Sequence, residues 1–109
     1  MEILNITPFN HTRFFTEENL EAMLPVLIAI TSKAKGQANG LKAQADYFKA
    51  QPGKTEALTQ QYNELLQKWS EKMRRLGGLP VELFQVKFPK NAHGGYFLWT
   101  FPKDSFEEF

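Results

Sequence analysis

The chain has 109 residues, 42% of them hydrophobic and 14% aromatic, and no cysteine. That supplies one domain with a modest core, and it excludes disulfides, thiolate nucleophiles and cysteine-ligated zinc. Thirteen basic residues against twelve acidic ones leave a formal charge of +1, which argues against a surface dedicated to nucleic acid or a membrane.

Residues 1–10 read as an arm, mixed in polarity and interrupted by Pro8. The arm lacks the basic start and small-residue cleavage site of a secretory signal, so the sequons Asn5-Ile6-Thr7 and Asn10-His11-Thr12 read as chance matches. With no cysteine, this places the chain in the cytoplasm. His11 to Phe15 is more extended in character, and Phe14 and Phe15 are candidates for an added strand.

A single helix is expected over 16–50. Its seam is Leu20, Leu24, Leu27, Thr31, Ala34, Ala38, Leu41, Ala45 and Phe48, in steps of four and three that keep one helical face. Thr16 suits the N-cap, and Glu17 and Glu18 face the positive helix end. Pro25 lies inside and predicts a kink. From Ala22 to Ile30 the helix is apolar on nearly every side and requires cover from several directions, yet the run is only about half a membrane span. Farther on, the seam becomes small, with Gly36 and Gly40 beside it.

Gln51-Pro52-Gly53-Lys54 reads as a turn. Thr55 is the expected cap of a second helix over 55–76, which carries Leu58, Tyr62, Leu65, Trp69, Met73 and Leu76 on one face. The short link makes the two helices an antiparallel hairpin of coiled-coil character. Because the second helix is shorter, it should reach back only to about Ile28–Ser32, leaving Leu20 to Ile28 for another element to cover. Leu76-Gly77-Gly78 and Pro80 mark its stop.

That other element is a β-hairpin over 83–101. Phe84, Val86 and Phe88 alternate on one strand and Phe97, Trp99 and Phe101 on the other, separated by a longish turn from Pro89 to Gly95 that includes Asn91 to Gly95. The glycines there lie between two strands and serve a turn, where a phosphate loop would need a following helix. Residues 102–109 read as a polar tail whose Asp104, Glu107 and Glu108 are solubilising. The expected class is α+β: a long antiparallel helical hairpin, its first helix kinked at Pro25, followed by a C-terminal β-hairpin packed on the start of that helix.

Two stretches resemble a bacterial family catalogued as domain of unknown function 2203. Phe15-Thr16-Glu17-Glu18 through Ala22-Met23-Leu24-Pro25 resembles its opening, and Val86-Lys87-Phe88-Pro89 with Tyr96-Phe97-Leu98-Trp99 resembles its closing strands. The chain departs from the family at its polar marks. Lys87 stands where the family carries Asp, Leu98 where it carries Cys, and Pro102-Lys103 where it carries Gly-Glu. The resemblance therefore transfers a scaffold and no functional residue.

Three functional readings follow. The first is a non-enzymatic module that self-associates or binds a protein. Met23, Val26 and Ile30 form a flank beside the main seam, which a symmetric homodimer would pair with its own copy to build a four-helix core. The second is a small metal-binding protein or enzyme near His11 and His93; they are distant in sequence and no local spacing supplies further ligands. The third is a nucleic-acid accessory protein using Lys68, Lys72, Arg74 and Arg75, with Lys87, Lys90 and Lys103; the helix end those first four occupy favours cations in any case. No cofactor motif is present. Leu66 and the hairpin's outer Leu83, Tyr96 and Leu98 add apolar surface consistent with association.

Overall fold

The computed structural model describes residues 13–91 and 93–109. The 1–10 arm, both sequons and His11 lie outside the described residues. The described chain forms α1 (Glu17–Tyr47), α2 (Pro52–Arg75), β1 (Leu79–Glu82), β2 (Gln85–Pro89), β3 (Tyr96–Thr100) and β4 (Glu107–Glu108), the strands making one antiparallel sheet in the order β1-β2-β3-β4. The expected helical hairpin followed by a β-hairpin is present, inside a larger sheet. Among the described residues no helix is long and apolar enough to cross a membrane.

α1 starts where the sequence placed it. The Asn19 amide donates to Thr16 Oγ1 at 3.1 Å and the Thr16 amide donates to Asn19 Oδ1 at 3.1 Å, so two otherwise unpaired amides are satisfied reciprocally. The helix continues through Pro25, whose side faces solvent. α2 differs at its start. It begins at Pro52, whose fixed φ suits the first helical turn, and Gln51 caps it without a side-chain bond. Thr55 is thus inside the helix, its hydroxyl donating back to the Pro52 carbonyl at 3.0 Å.

The earlier end of α1 and the earlier start of α2 change the register of the pair. Trp69 Nε1 donates to Thr31 Oγ1 at 2.9 Å, with both side chains buried. Counting antiparallel from that bond, Arg75 comes level with Pro25, so α2 reaches farther back than Ile28. Its Met73 is fully buried in the same cluster as Leu20 and Leu27. The cover required over Ala22–Ile30 is two-sided only: Ala22, Val26 and Ala29 remain exposed.

α2 ends in a double-bonded glycine cap. The Gly78 amide donates to the Met73 carbonyl at 2.9 Å and the Gly77 amide to Arg74 at 3.0 Å, with Gly77 at φ 97°. Gly78 also has a steric reason. A Cβ there would lie 2.5 Å from Val86 Cγ1, so only glycine lets the chain leave α2 flush against the sheet.

In the sheet, Val86, Phe88, Phe97 and Trp99 point inward and are buried, as period two predicted. Trp99 pairs with Val86 across the hairpin, and its indole N–H donates to the Lys103 carbonyl at 2.8 Å. The first strand is shorter than expected. Leu83 and Phe84 form the turn that joins β1, a strand absent from the sequence reading, to β2. Phe84 has φ 60°, a conformation that costs a non-glycine residue about 1–3 kcal/mol. Its ring meets Trp69 edge-on at 5.2 Å and Phe101 at 6.3 Å, and burial of that ring offsets the cost.

Two further corrections concern the ends. Phe14 and Phe15 do not add a strand. Phe14 is exposed, whereas Phe15 donates one backbone bond to the Pro89 carbonyl at 2.9 Å and buries its ring against Phe88. The segment 102–109 is not a free tail. Glu107 and Glu108 pair with Leu98 and Phe97, Phe106 packs edge-on to Phe88, and Phe109 stacks on Tyr96 at 5.0 Å.

One buried cluster joins the start of α1, the end of α2 and the inner sheet face. Ala38 and Leu58 are buried outside it, shielded at the helical seam alone. The sheet therefore braces one end of the helix pair, and the other end projects as a two-helix arm. The smallest extent, 21 Å, is that of one helix layer on one sheet layer.

Candidate interaction groove

Two helices joined along one seam leave a furrow on either side of it. On one side the furrow opens into a groove of about 660 Å³. α1 contributes Ile30, Lys33, Gln37, Leu41 and Gln44, again in steps of three and four; α2 contributes Gln61, Leu65, Lys68 and Lys72 from the facing stripe. Ala34 and Trp69 form the buried floor, so the Thr31–Trp69 bond sets how closely the walls approach. Ile30, Leu41 and Leu65 are only half buried, because each helix has one helical neighbour and no third helix among the described residues covers them.

The rim is polar and unevenly charged. Lys33 comes from α1, Lys68 and Lys72 from α2, and Glu64 is the one acid among the lining residues. Among the described residues the only ion pair is Lys90–Glu108 on the sheet, so no described carboxylate lies within ion-pair distance of the rim lysines. Gly40 lies in the same wall. A Cβ at Gly40 would meet nothing within 4 Å, although glycine in a helix interior costs about 1 kcal/mol relative to alanine. Packing among the described residues gives no reason for this glycine.

The flank expected at Met23, Val26 and Ile30 divides. Ile30 lines the groove, and Val26, one turn earlier at the same spacing, is 48% exposed and extends the apolar stripe beyond it. Met23 is half buried and, like Ile30, packs against the chain's own core, but it does not line the groove. The basic residues considered together also divide between α2 and the sheet. Lys68 and Lys72 enter the groove, whereas Lys87 lies over the Tyr96 ring at 4.4 Å and Lys90 over Phe97 while pairing with Glu108 at 2.8 Å. His93 is exposed in the turn between β2 and β3, where its amide donates to Asn91 Oδ1 at 2.8 Å. Among the described residues no three His, Cys, Asp or Glu side chains gather as metal ligands would.

Sequence reasoning missed the groove as a unit. Its signal was a second stripe on each helix, displaced one position from the seam, but joining the two stripes required the helix register. On the sheet, Leu79, Val81 and Leu83 are half exposed along the β1 edge, and Tyr96 is partly covered by Phe109. No protein-family model matches this chain, and no curated protein or solved structure shows significant similarity to it.

Proposed function

We propose that this protein is a non-enzymatic interaction module, in which a sheet-braced base holds out a pair of helices to receive another polypeptide. The observation that supports this best is the open groove with its half-buried Ile30, Leu41 and Leu65, continued by exposed Val26. Leu41 and Leu65 belong to the helical seam and Ile30 lies beside it, and helical pairs of this length normally bury such half-covered positions against a third or fourth helix. The binding surface is thus the missing neighbour of α1 and α2, supplied by a second copy or by a different protein. The lack of cysteine suits a reducing compartment, and the cytoplasm is the proposed place of action. The resemblance to the bacterial domain of unknown function 2203 is compatible with this role, since Lys87 and Leu98 replace the family's polar marks and leave a scaffold.

Sedimentation and affinity capture with the full chain test the reading, using Ile30→Glu/Leu41→Glu as the control after circular dichroism has shown it folded. The expected result is either a dimer that the double variant converts to monomer, or a captured protein that the double variant no longer retains. A chain that is monomeric at tens of micromolar, with the same captured proteins for both forms, overturns it.

A further inference from the structure

We propose that the occupant of the groove is an acidic amphipathic α-helix of another protein, its apolar face on Ile30, Leu41 and Leu65 and its flanking carboxylates against Lys33, Lys68 and Lys72. This rests on the interaction-module reading and gives the partner a chemistry. The walls run antiparallel from Ile30 to Gln44 on α1, about 20 Å at 1.5 Å per residue, which accommodates about two heptads of a docked helix. Lysines from both helices flank the apolar floor and only Glu64 opposes them, so the potential across the groove is positive in a chain that is otherwise nearly neutral. That uneven local charge selects among amphipathic helices, because carboxylates on the incoming flanks gain and ammonium groups lose.

Gly40 leaves room for such a helix, although Gly36 on the same helix, outside the groove, faces open space as well. Gly40 lies in the groove wall with open space where its side chain would be, and no described residue of this chain fills that space. A helical glycine facing a groove permits the close approach of another backbone, which a longer side chain would hold off. A second copy of this chain fits less well. Lys33, Lys68 and Lys72 share one end of the groove, so parallel pairing of two copies would set lysines against lysines, and antiparallel pairing would set them against Leu41, Gln44 and Gln61, where no acid receives them. Nucleic acid fits less well still, since a phosphate backbone would leave half-buried Ile30, Leu41 and Leu65 without an apolar partner.

A display library of helices three heptads long tests this, with a fixed apolar seam and flanking positions drawn from Glu, Gln and Lys. It is selected on the full chain, and the best binder is measured by fluorescence anisotropy. The expected outcome is enrichment of Glu at the flanks. Binding should weaken by about tenfold or more for Lys33→Glu/Lys68→Glu/Lys72→Glu, as loss and reversal of complementary charge would produce. It should also weaken between about 50 and 500 mM sodium chloride, where screening shortens from roughly 14 to 4 Å. Gly40→Leu should abolish binding while leaving the circular dichroism spectrum unchanged. Flanks enriched in Gln or Lys, binders indifferent to the charge reversal, no enrichment at all, or a dimer that Gly40→Leu dissociates would each overturn the proposal. If no acidic helix is selected but Ile30→Glu/Leu41→Glu still loses a captured protein, the partner chemistry is wrong and the module stands. If both experiments fail, the module falls as well.

Discussion

The bond between Thr31 and Trp69 lies beneath the groove, and removing it tests how the two helices are held. Thr31→Val keeps the shape of the side chain and deletes only the hydroxyl. The indole N–H of Trp69, now 2.9 Å from Thr31 Oγ1, then has no acceptor in a side chain that is 4% exposed. An unpaired buried donor costs about 1–3 kcal/mol. The new methyl fills the hydroxyl's place at a fully buried position, so no water takes over as acceptor and the whole of that range applies, about 1–3 kcal/mol. For a domain of about 100 residues each kcal/mol lost lowers the melting temperature by about 4–8 °C. Urea unfolding followed by far-ultraviolet circular dichroism measures the loss directly. Trp69→Phe supplies the second arm of a double-mutant cycle. In the Trp69→Phe background no indole remains to be stranded, and Thr31→Val should cost less than about 0.5 kcal/mol. Equal losses in both backgrounds would show that the bond carries no coupling. A loss under about 0.3 kcal/mol for Thr31→Val with Trp69 in place would refute the reasoning.

Trp99→Ala removes a fully buried side chain paired with Val86 and should cost about 3–5 kcal/mol in urea unfolding; a loss below about 1 kcal/mol would place it outside the core. Gly78→Ala forces a methyl to 2.5 Å from Val86 Cγ1 and should cost about 1–3 kcal/mol, whereas Gly40→Ala meets nothing and should gain about 1 kcal/mol. Equal shifts of melting temperature for these two would contradict the packing. Truncation after Lys103 removes β4, Phe106 and Phe109 and should lower stability by about 2 kcal/mol, with an unchanged unfolding midpoint expected only of a free tail.

The polar rim of the groove is a case in which each residue was visible and the site was not. Lys68 and Lys72 read as complements of a helix terminus, and no local pattern singles out Lys33. Their meeting depends on register, which a turn four residues long decides: Phe48 to Gln51 links the helices and brings Thr31 opposite Trp69. The expected turn, placed a few residues later, would have slid α2 by more than a helical turn along α1.

What the sequence alone determined is what repeats locally. Steps of three and four along α1 and α2 and alternation through Val86–Phe88 and Phe97–Trp99 are periods set by backbone geometry, and each needs only its own segment to be recognised. The Thr16 cap and the Gly77-Gly78 stop are local for the same reason. Tertiary structure alone decided the rest. β1 and β4 hold four and two residues, too few to show a period, and exist because β2 and β3 offer them backbone partners. Phe84 leaves the strand pattern because its ring gains more against Trp69 and Phe101 than its backbone loses. Thr31, a polar residue in an apolar seam, was unexplained until Trp69 reached it. Pairing, burial of a ring and the satisfaction of one donor all depend on residues distant in sequence, so no reading of single segments contains them.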